Sequence, residues 1–304
     1  MPTPRISIVT PTLNQGRYIA ATIHSVMDQG YPDLEYTIID GGSTDNTHEV
    51  VARLREEYAG AFQFEIVKGL GQVAAINKGL AAATGQILAY INSDDVYLPE
   101  VFQIVSHHFR EQPQAKWLAA PTILFGGNSH ELKIVPLKRP AKDMITWLLG
   151  NHVPQPSAFW TREAYTELGP FDERYQYRFD HEYWLRFVEK GFRPIWLECP
   201  LSTYRLHPAS FTCSRPELFR AELLRIQQQW LPKLTPGKQH RLRTILRGRE
   251  AAAIQRQALQ TASDGHRRQA LLQWFANVHH APHVLLTLQN YRSLRRVLFP
   301  KRSH

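Results

Sequence analysis

The first hundred residues alternate between short apolar runs and longer segments in which apolar positions recur every three or four residues. The apolar runs have strand length and are rich in β-branched residues, and the segments between them have helical periodicity. Strands that alternate with helices in this way predict βαβ units and a parallel sheet. The predicted strands span 5–10, 36–39, 62–67 and 87–91, and the predicted helices span 17–28, 45–58 and 72–83.

Three of the predicted strands end in polar turns. The first is broken by Pro11 and followed by the polar residues 12–16, the second ends in Asp-Gly-Gly-Ser-Thr-Asp at 40–45, and the fourth ends in Asn-Ser-Asp-Asp at 92–95. Ligands of parallel sheets bind beyond the carboxyl ends of the strands, where loop amides and helix N-termini converge. The three turns therefore predict a binding site at one edge of the sheet.

The adjacent carboxylates of Asp94 and Asp95 stand out in this set. Two such charges repel each other unless a cation or hydrogen-bond donors lie between them, and a pair at a strand end favours a hard metal ion. The alternative is that one of them caps the following helix while the other is solvated. Taken alone, the stretch leaves both interpretations open.

Two common phosphate-binding motifs are absent from the sequence. The turn after the first strand reads Pro-Thr-Leu-Asn-Gln-Gly at 11–16 rather than G-x-G-x-x-G, and the chain has no Walker A lysine motif. Acidic side chains line the predicted edge instead. This pattern predicts a nucleotide held through its base and ribose, with its phosphates reached through a metal ion.

The pattern after residue 100 is less regular. Residues 117–125 and 131–136 are apolar or alternating and predict strands added to the sheet in mixed or antiparallel orientation, and 201–212 predicts a strand that runs into a turn. A helix is predicted from Phe179, with Asp180 in its first turn. A carboxylate there is also favoured by the helix dipole, so capping is an alternative to a chemical role.

Composition indicates an ordinary globular protein with 304 residues and 43% hydrophobic content. Cys199 and Cys213 form no C-x-x-C motif, which argues against a disulfide framework or zinc site and fits a reducing compartment. No apolar run reaches the length of a membrane span, and the N-terminus has no signal-peptide core. We therefore expect a cytoplasmic location.

The net charge of +9 is unevenly distributed. From residue 215 onward there are 17 Lys and Arg against 4 Asp and Glu, a balance of +13, so the residues before it carry −4. The shift predicts two regions, 1–214 and 215–304, the first with a nucleotide-binding half at about 1–100 and an acceptor half at about 101–214.

The basic region predicts helices at 217–230, 238–261, 264–278 and 283–298. Its charge and aromatic residues fit either an anionic membrane surface, which would make the protein peripheral, or a helical cap on the first region. Nucleic acid is disfavoured because no helix-turn-helix, zinc or RNP signature accompanies the charge.

The motifs of the first two hundred residues resemble those of the inverting family 2 glycosyltransferases, which have the GT-A fold. The resemblance rests on the order and spacing of four segments: Thr-Pro-Thr-Leu-Asn at 10–14, the Asp-Gly-Gly-Ser-Thr-Asp turn at 40–45, Ala-Ile-Asn-Lys-Gly-Leu at 75–80, and Asn-Ser-Asp-Asp at 92–95. It covers roughly residues 5–212. It implies an α/β GT-A fold, a mostly parallel sheet flanked by helices, to which the basic region adds a C-terminal helical extension.

The resemblance also implies roles at the nucleotide. Asp40 would accept a hydrogen bond from a uracil or thymine ring, and the third residue of the family's D-x-D motif, here Asp94, would ligate Mg²⁺ or Mn²⁺. Asn92 replaces the first acid of that motif, so Asp95 or His207 is expected to complete the metal site. The remaining residues implied for the nucleotide are Pro11, Thr12, Asn14, Gln72, Asn77 and Ser93.

The carboxylate after the Phe-Asp-Glu turn at 171–173 corresponds to the family's catalytic base. Asp180 is the match, with Glu182 as second choice. The segment 151–160 and the helix from Phe179 resemble the acceptor side and imply His152, Gln155 and Trp184 as acceptor contacts, although a structural role for His152 stays open.

The implied activity is transfer of a sugar from a nucleotide-diphosphate sugar to an acceptor hydroxyl with inversion, in bacterial polysaccharide or glycolipid assembly. A UDP-sugar is the expected donor, with dTDP- and GDP-sugars as alternatives, and a saccharide or lipid-linked saccharide is the expected acceptor. Two rival functions remain: a sugar nucleotidyltransferase, and an inactive fold relative that binds a partner or nucleic acid through its basic tail.

Overall fold

The computed structural model describes residues 3–126, 132–137, 143–207 and 215–263, and beyond them the single residues 266, 269 and 272. The chain divides into two compact units, Met1–Gln228 and Gln229–His304. The division falls later than the predicted boundary at 214/215. The reason is that the helix beginning at Pro216 is hydrogen-bonded into the first unit through Glu222 and Gln227.

The first part of the chain alternates strands and helices as its apolar pattern predicts. Its helices bury one face, and α3 approaches the sheet closely because Gly79 has no side chain: a Cβ there would lie 2.6 Å from Val9. The elements are β1 Ile6–Thr12, α1 Ile19–Met27, β2 Leu34–Asp40, α2 Thr47–Glu57, β3 Gln63–Ile66, α3 Gln72–Ala82, β4 Ile87–Tyr90, β5 Val96–Tyr97 and α4 Val101–Glu111.

The rest of the first unit is built from shorter elements, and the second unit is helical where it is described. In order they are β6 Trp117–Ala119, β7 Thr122–Gly126, β8 Lys133–Val135, α5 Met144–Leu148, a 3₁₀ turn Gln155–Ser157, β9 Ala158–Thr161, α6 Arg162–Leu168, α7 Phe179–Glu189, β10 Pro194–Trp196, β11 Ser202–Leu206, α8 Pro216–Trp230, a 3₁₀ turn Leu231–Lys233 and α9 Pro236–Ser263.

Seven strands form the central sheet, in the order β10-β6-β9-β4-β1-β2-β3. The pairs β1/β2, β1/β4, β2/β3 and β10/β6 are parallel, whereas β9 runs antiparallel to both β4 and β6. A second sheet has the order β5-β11-β7-β8. The mostly parallel sheet and the antiparallel additions agree with the predicted α/β architecture.

The first strand continues through Pro11, contrary to the predicted break. Its pairing with β2 extends to Thr12 opposite Asp40, whereas its pairing with β4 ends at Val9 opposite Tyr90. The oxygen of Val9 bonds toward β4, so Pro11, two residues on, faces the same side beyond the last ladder pair. A missing N–H is tolerated at such a position.

The predicted strand 117–125 is two strands in different sheets. Pro121 lies between β6 and β7 and has no N–H for a ladder, and the chain passes there from the central to the small sheet. The predicted strand 131–136 is the shorter β8, and the strand of 201–212 ends at Leu206. The prediction of one continuous strand over 117–125 is wrong because the chain changes sheet at Pro121.

The small sheet brings two distant segments together. Strand β5 pairs antiparallel with β11, with Val96 opposite Thr203 and Tyr97 opposite Ser202. In an antiparallel pair, residues that precede one strand lie beside residues that follow the other. The acidic pair just before β5 therefore lies near the end of β11, where His207 follows.

The predicted helices 217–230 and 238–261 are α8 and α9. Those at 264–278 and 283–298 lie outside the described residues, apart from positions 266, 269 and 272. Among the helices that the structure describes, none combines the length and the apolar character that crossing a membrane requires.

Candidate functional site

A cavity of about 470 Å³ lies at the carboxyl ends of β1 and β4, within the first unit. Its wall is formed by the end of β1, the start of α3, the turn after β4, the segment that leads into α7, the 3₁₀ turn at Gln155, the end of β11 and the start of α8. The lining residues are Pro11, Thr12, Leu13, Gln15, Leu70, Gly71, Gln72, Ala75, Tyr90, Asn92, Ser93, Asp94, Gln155, Gln176, Tyr177, Phe179, Asp180, Tyr204, His207 and Phe219.

Asp94 and His207 meet on this wall. His207 Nε2 lies 3.0 Å from Asp94 Oδ2, with 10% of the histidine side chain and 18% of the aspartate side chain exposed. The ring of Tyr18 lies 4.9 Å from the His207 ring. A carboxylate oxygen and an imidazole nitrogen of this kind suit Mn²⁺ or a similar divalent ion.

Asp95 does not accompany Asp94 into the cavity, and its role as a metal ligand stays a prediction. It is 1% exposed, and one of its oxygens accepts a hydrogen bond from the backbone N–H of Arg205 at 3.0 Å. Burial and the neighbouring charge of Asp94 raise the pKa of Asp95. The side chain instead links the turn after β4 to β11.

Among the described residues, no group of three His, Cys, Asp or Glu side chains is arranged to hold a metal ion. Asp94 and His207 would supply two protein donors to a cation bound here. A cation at this position would take its remaining ligands from a bound diphosphate and water, which is common for Mg²⁺ and Mn²⁺ at nucleotide sites.

Asn92, the residue in place of the first acid, is held in a chain of side-chain amides. Its Oδ1 accepts from Gln72 Nε2 at 2.8 Å, and its Nδ2 lies 3.4 Å from Gln155 Oε1 and 3.5 Å from Asp95 Oδ2. Gln155 in turn donates to the Tyr90 carbonyl at 2.7 Å. The oxygen of the Asn92 amide thus faces the donor Gln72, and its nitrogen faces the acceptor Gln155.

Asp180 also lines the cavity, in the first turn of α7 as predicted. Asn151 Nδ2 donates to its Oδ2 at 2.7 Å, and the His181 backbone N–H donates to its Oδ1 at 2.7 Å. Burial raises the pKa of Asp180 to about 6, against the opposing effects of the His181 amide, Arg178 and Asn151. A carboxylate with this pKa is suited to accept a proton near neutral pH.

Glu182, the second choice for the base, is not on the cavity wall. It is 3% exposed and forms a two-oxygen ion pair with Arg186, whose guanidinium also donates to the carbonyls of Leu168 and Pro170. Both carboxylate oxygens of Glu182 are bonded by Arg186.

Of the residues predicted at the nucleotide, Pro11, Thr12, Gln72, Asn92 and Ser93 line the cavity. Thr12 Oγ1 is a buried hydroxyl that has no hydrogen-bond partner among the residues that the structure describes. Such an atom is costly to bury unless a ligand group reaches it.

The other three residues predicted at the nucleotide are not among the lining residues. Asp40 is 0% exposed, and its carboxylate accepts from Gly42 N and Ser43 N, each at 2.8 Å, and pairs with His48. The Asn14 side chain accepts from Thr44 N at 2.8 Å. The Asn77 side chain bonds both the N–H and the carbonyl of Phe171, at 2.9 Å each. All three side chains hold loops together.

Gln155 is the one predicted acceptor contact that lines the cavity. Trp184 is 0% exposed and stacks on Trp117 with ring centroids 5.3 Å apart, because α7 turns this face toward the core. His152 Nε2 lies 2.9 Å from the Thr146 carbonyl, and its ring packs against Trp147. Neither Trp184 nor His152 is among the lining residues.

Several lining residues were not predicted. Tyr204 lies on β11, three residues before His207, and an alternating pattern there could have indicated it. Gln176 and Tyr177 lie between two predicted motifs, and Phe219 lies on α8, which was assigned to the basic region. Periodicity identifies the apolar face of such a helix but not the segment it packs against.

Comparison with known proteins supports the predicted family and the predicted fold. The family model described as Glycosyl transferase family 2 matches residues 7–166, more than half of the 304 residues. The chain belongs to glycosyl transferase family 2. The family assignment expected from the four motifs is thereby confirmed.

Curated relatives within this family share shorter stretches. An uncharacterized glycosyltransferase of Nostoc sp. is 36% identical over 106 residues, which are 35% of this chain and 33% of that protein. A Bacillus subtilis protein named for teichuronic acid biosynthesis, TuaG, is 35% identical over 92 residues, 30% of this chain and 36% of its own length. A PGL/p-HBAD biosynthesis glycosyltransferase of Mycobacterium tuberculosis is 25% identical over 187 residues, 61% of this chain and 70% of that protein. The first two matches thus span about a third of each relative's length.

Solved structures with a similar fold include two proteins in complex with nucleotide sugars. Staphylococcus aureus TarS 1–349 in complex with UDP-GlcNAc has a TM-score of 0.57 and 18% identity, covering 97% of this chain and 79% of that one. The mannosyltransferase PcManGT of Pyrobaculum calidifontis, in complex with GDP-Man and Mn²⁺, has a TM-score of 0.53 and 16% identity, covering 98% and 74%. At these identities the likeness shows the fold, and it confirms the predicted GT-A type.

Proposed function

We propose that the protein is an inverting glycosyltransferase that moves a sugar from a nucleotide-diphosphate donor to an acceptor hydroxyl. The observation that carries this proposal is that Asp180 lines the same cavity as Asp94 and its partner His207. A proton acceptor and a site for the leaving diphosphate are the two groups that such a transfer needs.

In the reaction, Asp180 takes the proton of the acceptor hydroxyl while the hydroxyl oxygen attacks the anomeric carbon. The new C–O bond forms on the face opposite the diphosphate, and the old bond breaks with its electron pair going to the diphosphate oxygen. One displacement inverts the anomeric configuration. Positioned proton transfer of this kind contributes about 10² to 10⁴-fold to the rate.

The leaving group acquires negative charge beside Asp94 and His207, which would hold Mn²⁺ or Mg²⁺ there. When bound, this cation acts as a Lewis acid that neutralises the diphosphate charge. Asn92 would reach the ribose through its amide, and the Thr12 hydroxyl would bond the nucleotide. TarS binds UDP-GlcNAc and PcManGT binds GDP-Man and Mn²⁺, which supports a nucleotide-sugar donor and a divalent ion here.

The acceptor and location are argued from the relatives and the charge. TuaG and the mycobacterial relative are named for teichuronic acid and PGL/p-HBAD biosynthesis, which supports a saccharide or glycolipid acceptor. The +13 charge of residues 215–304 supports a peripheral position at an anionic membrane surface on the cytoplasmic side.

The first test is thermal-shift screening of UDP-, dTDP- and GDP-sugars with and without Mn²⁺. A donor present at about 100 times its Kd stabilises the fold by about 2.7 kcal/mol. The nucleotide that shifts the melting temperature is then used to measure turnover of the wild type, Asp94→Ala, Asp180→Asn and the exposed control Glu111→Gln. Full activity of both site variants would contradict the proposal.

A further inference from the structure

Glu222 on α8 gathers three consecutive backbone N–H groups. Gln176 N donates to its Oε1 at 2.7 Å, and Tyr177 N and Arg178 N donate to its Oε2 at 2.8 Å each. Glu222 is 6% exposed, so the carboxylate is almost entirely withdrawn from water. A buried charge is tolerated when such charge-assisted bonds satisfy it.

The three N–H groups belong to the segment that starts α7. Arg178 is the N-cap of α7, and its own side chain makes no capping hydrogen bond. Unpaired N–H groups and the positive end of the dipole make a helix N-terminus favourable for a carboxylate. Glu222 supplies that carboxylate from another helix. The last of the three N–H groups, that of Arg178, lies two residues before Asp180.

A second set of contacts joins the same two segments. Arg178 Nε donates to the Phe219 carbonyl at 2.6 Å, and its guanidinium lies 5.6 Å from the centre of the Phe219 ring. The rings of Tyr177 and Phe219 lie 5.4 Å apart, and both residues line the cavity. One turn of α8 therefore holds the segment 176–178 by its backbone, by Arg178 and by a ring contact.

We propose that Glu222 is a positioning residue of the active site: it fixes the entry of α7 so that Asp180 points at the acceptor hydroxyl. The proposal rests on the role of Asp180 given above. It also assigns α8, which follows the residues that the family model matches, to the catalytic machinery of this protein. Reactions that depend on alignment lose about 10²-fold for a displacement of about 1 Å.

The test compares Glu222→Gln with wild type and with Glu217→Gln, a matched change at an exposed position of the same helix. Gln keeps the size of Glu222 but loses the charge and turns an N–H₂ group toward the backbone donors. We expect hydrogen exchange to rise at the backbone amides of 176–181 in Glu222→Gln alone. We expect kcat for sugar-nucleotide turnover to fall about 10- to 100-fold, while the Kd for UDP stays within about two-fold.

Other outcomes overturn the proposal. If the amides of 176–181 exchange in Glu222→Gln at the wild-type rate, Glu222 does not hold this segment. Raised exchange with unchanged kcat shows that the segment does not position the base. If kcat, the affinity for UDP and the melting temperature all fall in Glu222→Gln, the residue has a general role in folding. Asp180→Asn is measured in parallel: if it keeps full turnover, the proposed base is wrong and Glu222 has no base to position, whereas the exchange result remains readable.

Discussion

His207 Nε2 lies 3.0 Å from Asp94 Oδ2, although 113 positions separate the two residues along the chain. The antiparallel pairing of β5 with β11 creates this contact. Because Asn92 adds no charge, we expect Asp94→Ala and His207→Ala each to raise the Mn²⁺ concentration needed for UDP binding by about 10-fold or more. Calorimetric titration of UDP at a series of Mn²⁺ concentrations measures this.

The control for these two variants is His108→Ala, a histidine on α4 outside the cavity. Each variant is also titrated with UDP in the absence of Mn²⁺, where only contacts to the nucleoside contribute. An unchanged Mn²⁺ dependence in His207→Ala would contradict a role for this histidine at the diphosphate.

The amide chain around Asn92 predicts that restoring the acid of the D-x-D motif is harmful. In Asn92→Asp a carboxylate replaces the Nδ2 that lies 3.4 Å from Gln155 Oε1 and 3.5 Å from Asp95. A lost donor and a like charge in a partly buried place cost about 1 to 3 kcal/mol. Urea denaturation should show this loss of unfolding free energy, and turnover should fall.

Asn92→Ser is the matched control, since it removes the amide without adding a charge. We expect it to be less destabilising at pH 8 than Asn92→Asp. If Asn92→Asp instead binds Mn²⁺ more tightly and turns over faster than wild type, the amide is not matched to its surroundings and the prediction is wrong.

The sequence predicts the elements that carry the site better than the directions of their side chains. The apolar periodicity gives β1, β4 and α3, and the first-turn position of Asp180 follows from the helix beginning at Phe179. Asp40 and Asn77 also match family motifs, yet their side chains bond neighbouring loops. A motif fixes where a residue lies along an element, whereas tertiary contacts decide which polar atoms remain available.

The contribution of α8 could not be predicted for a related reason. The charge shift near 215 reflects the solvent-exposed basic residues of the region, and it says nothing about the buried face of the first helix. Glu222 is one of only 4 acidic residues from 215 onward, and its burial against three backbone N–H groups is a tertiary contact. Pairing of this kind has no local sequence signal.

The raised pKa of Asp180 predicts a pH dependence of turnover. Burial lifts the pKa from 3.8 to about 6, so the carboxylate is protonated and unable to act as a base below that value. We expect kcat/KM, which reports the pKa of the free enzyme, to rise with pH through about 6 and then to level off. Initial rates at subsaturating substrate over a range of pH measure this. Asp180→Asn should lose about 10²-fold or more of turnover and this acidic limb.

The raised pKa of Asp180 also makes the stability of the fold depend on pH: turnover rises through about pH 6, whereas stability falls. A carboxyl group whose folded-state pKa is raised stabilises the fold below pH 3.8, and this contribution is lost as the pH rises through about 6. Asp180→Asn removes the buried charge, so at pH 8 it should unfold with about 1 to 3 kcal/mol more free energy than wild type. The gain should vanish below pH 4, and a gain that is independent of pH would contradict the assignment.

Asn77 separates the structural from the nucleotide-binding interpretation of the motif at 75–80. Its amide holds the N–H and the carbonyl of Phe171 at 2.9 Å each and donates to Glu173 at 3.0 Å, away from the cavity wall. Asn77→Ala should therefore lower the free energy of unfolding by about 1 to 3 kcal/mol, since partly buried backbone groups lose their partner. Its Kd for UDP should stay at the wild-type value.

Gln72 lies on the wall and bonds Asn92. Gln72→Ala should therefore weaken UDP binding with a smaller loss of stability. Chemical denaturation and UDP titration of the two variants decide the matter, and weaker UDP binding in Asn77→Ala with unchanged stability would restore the nucleotide role.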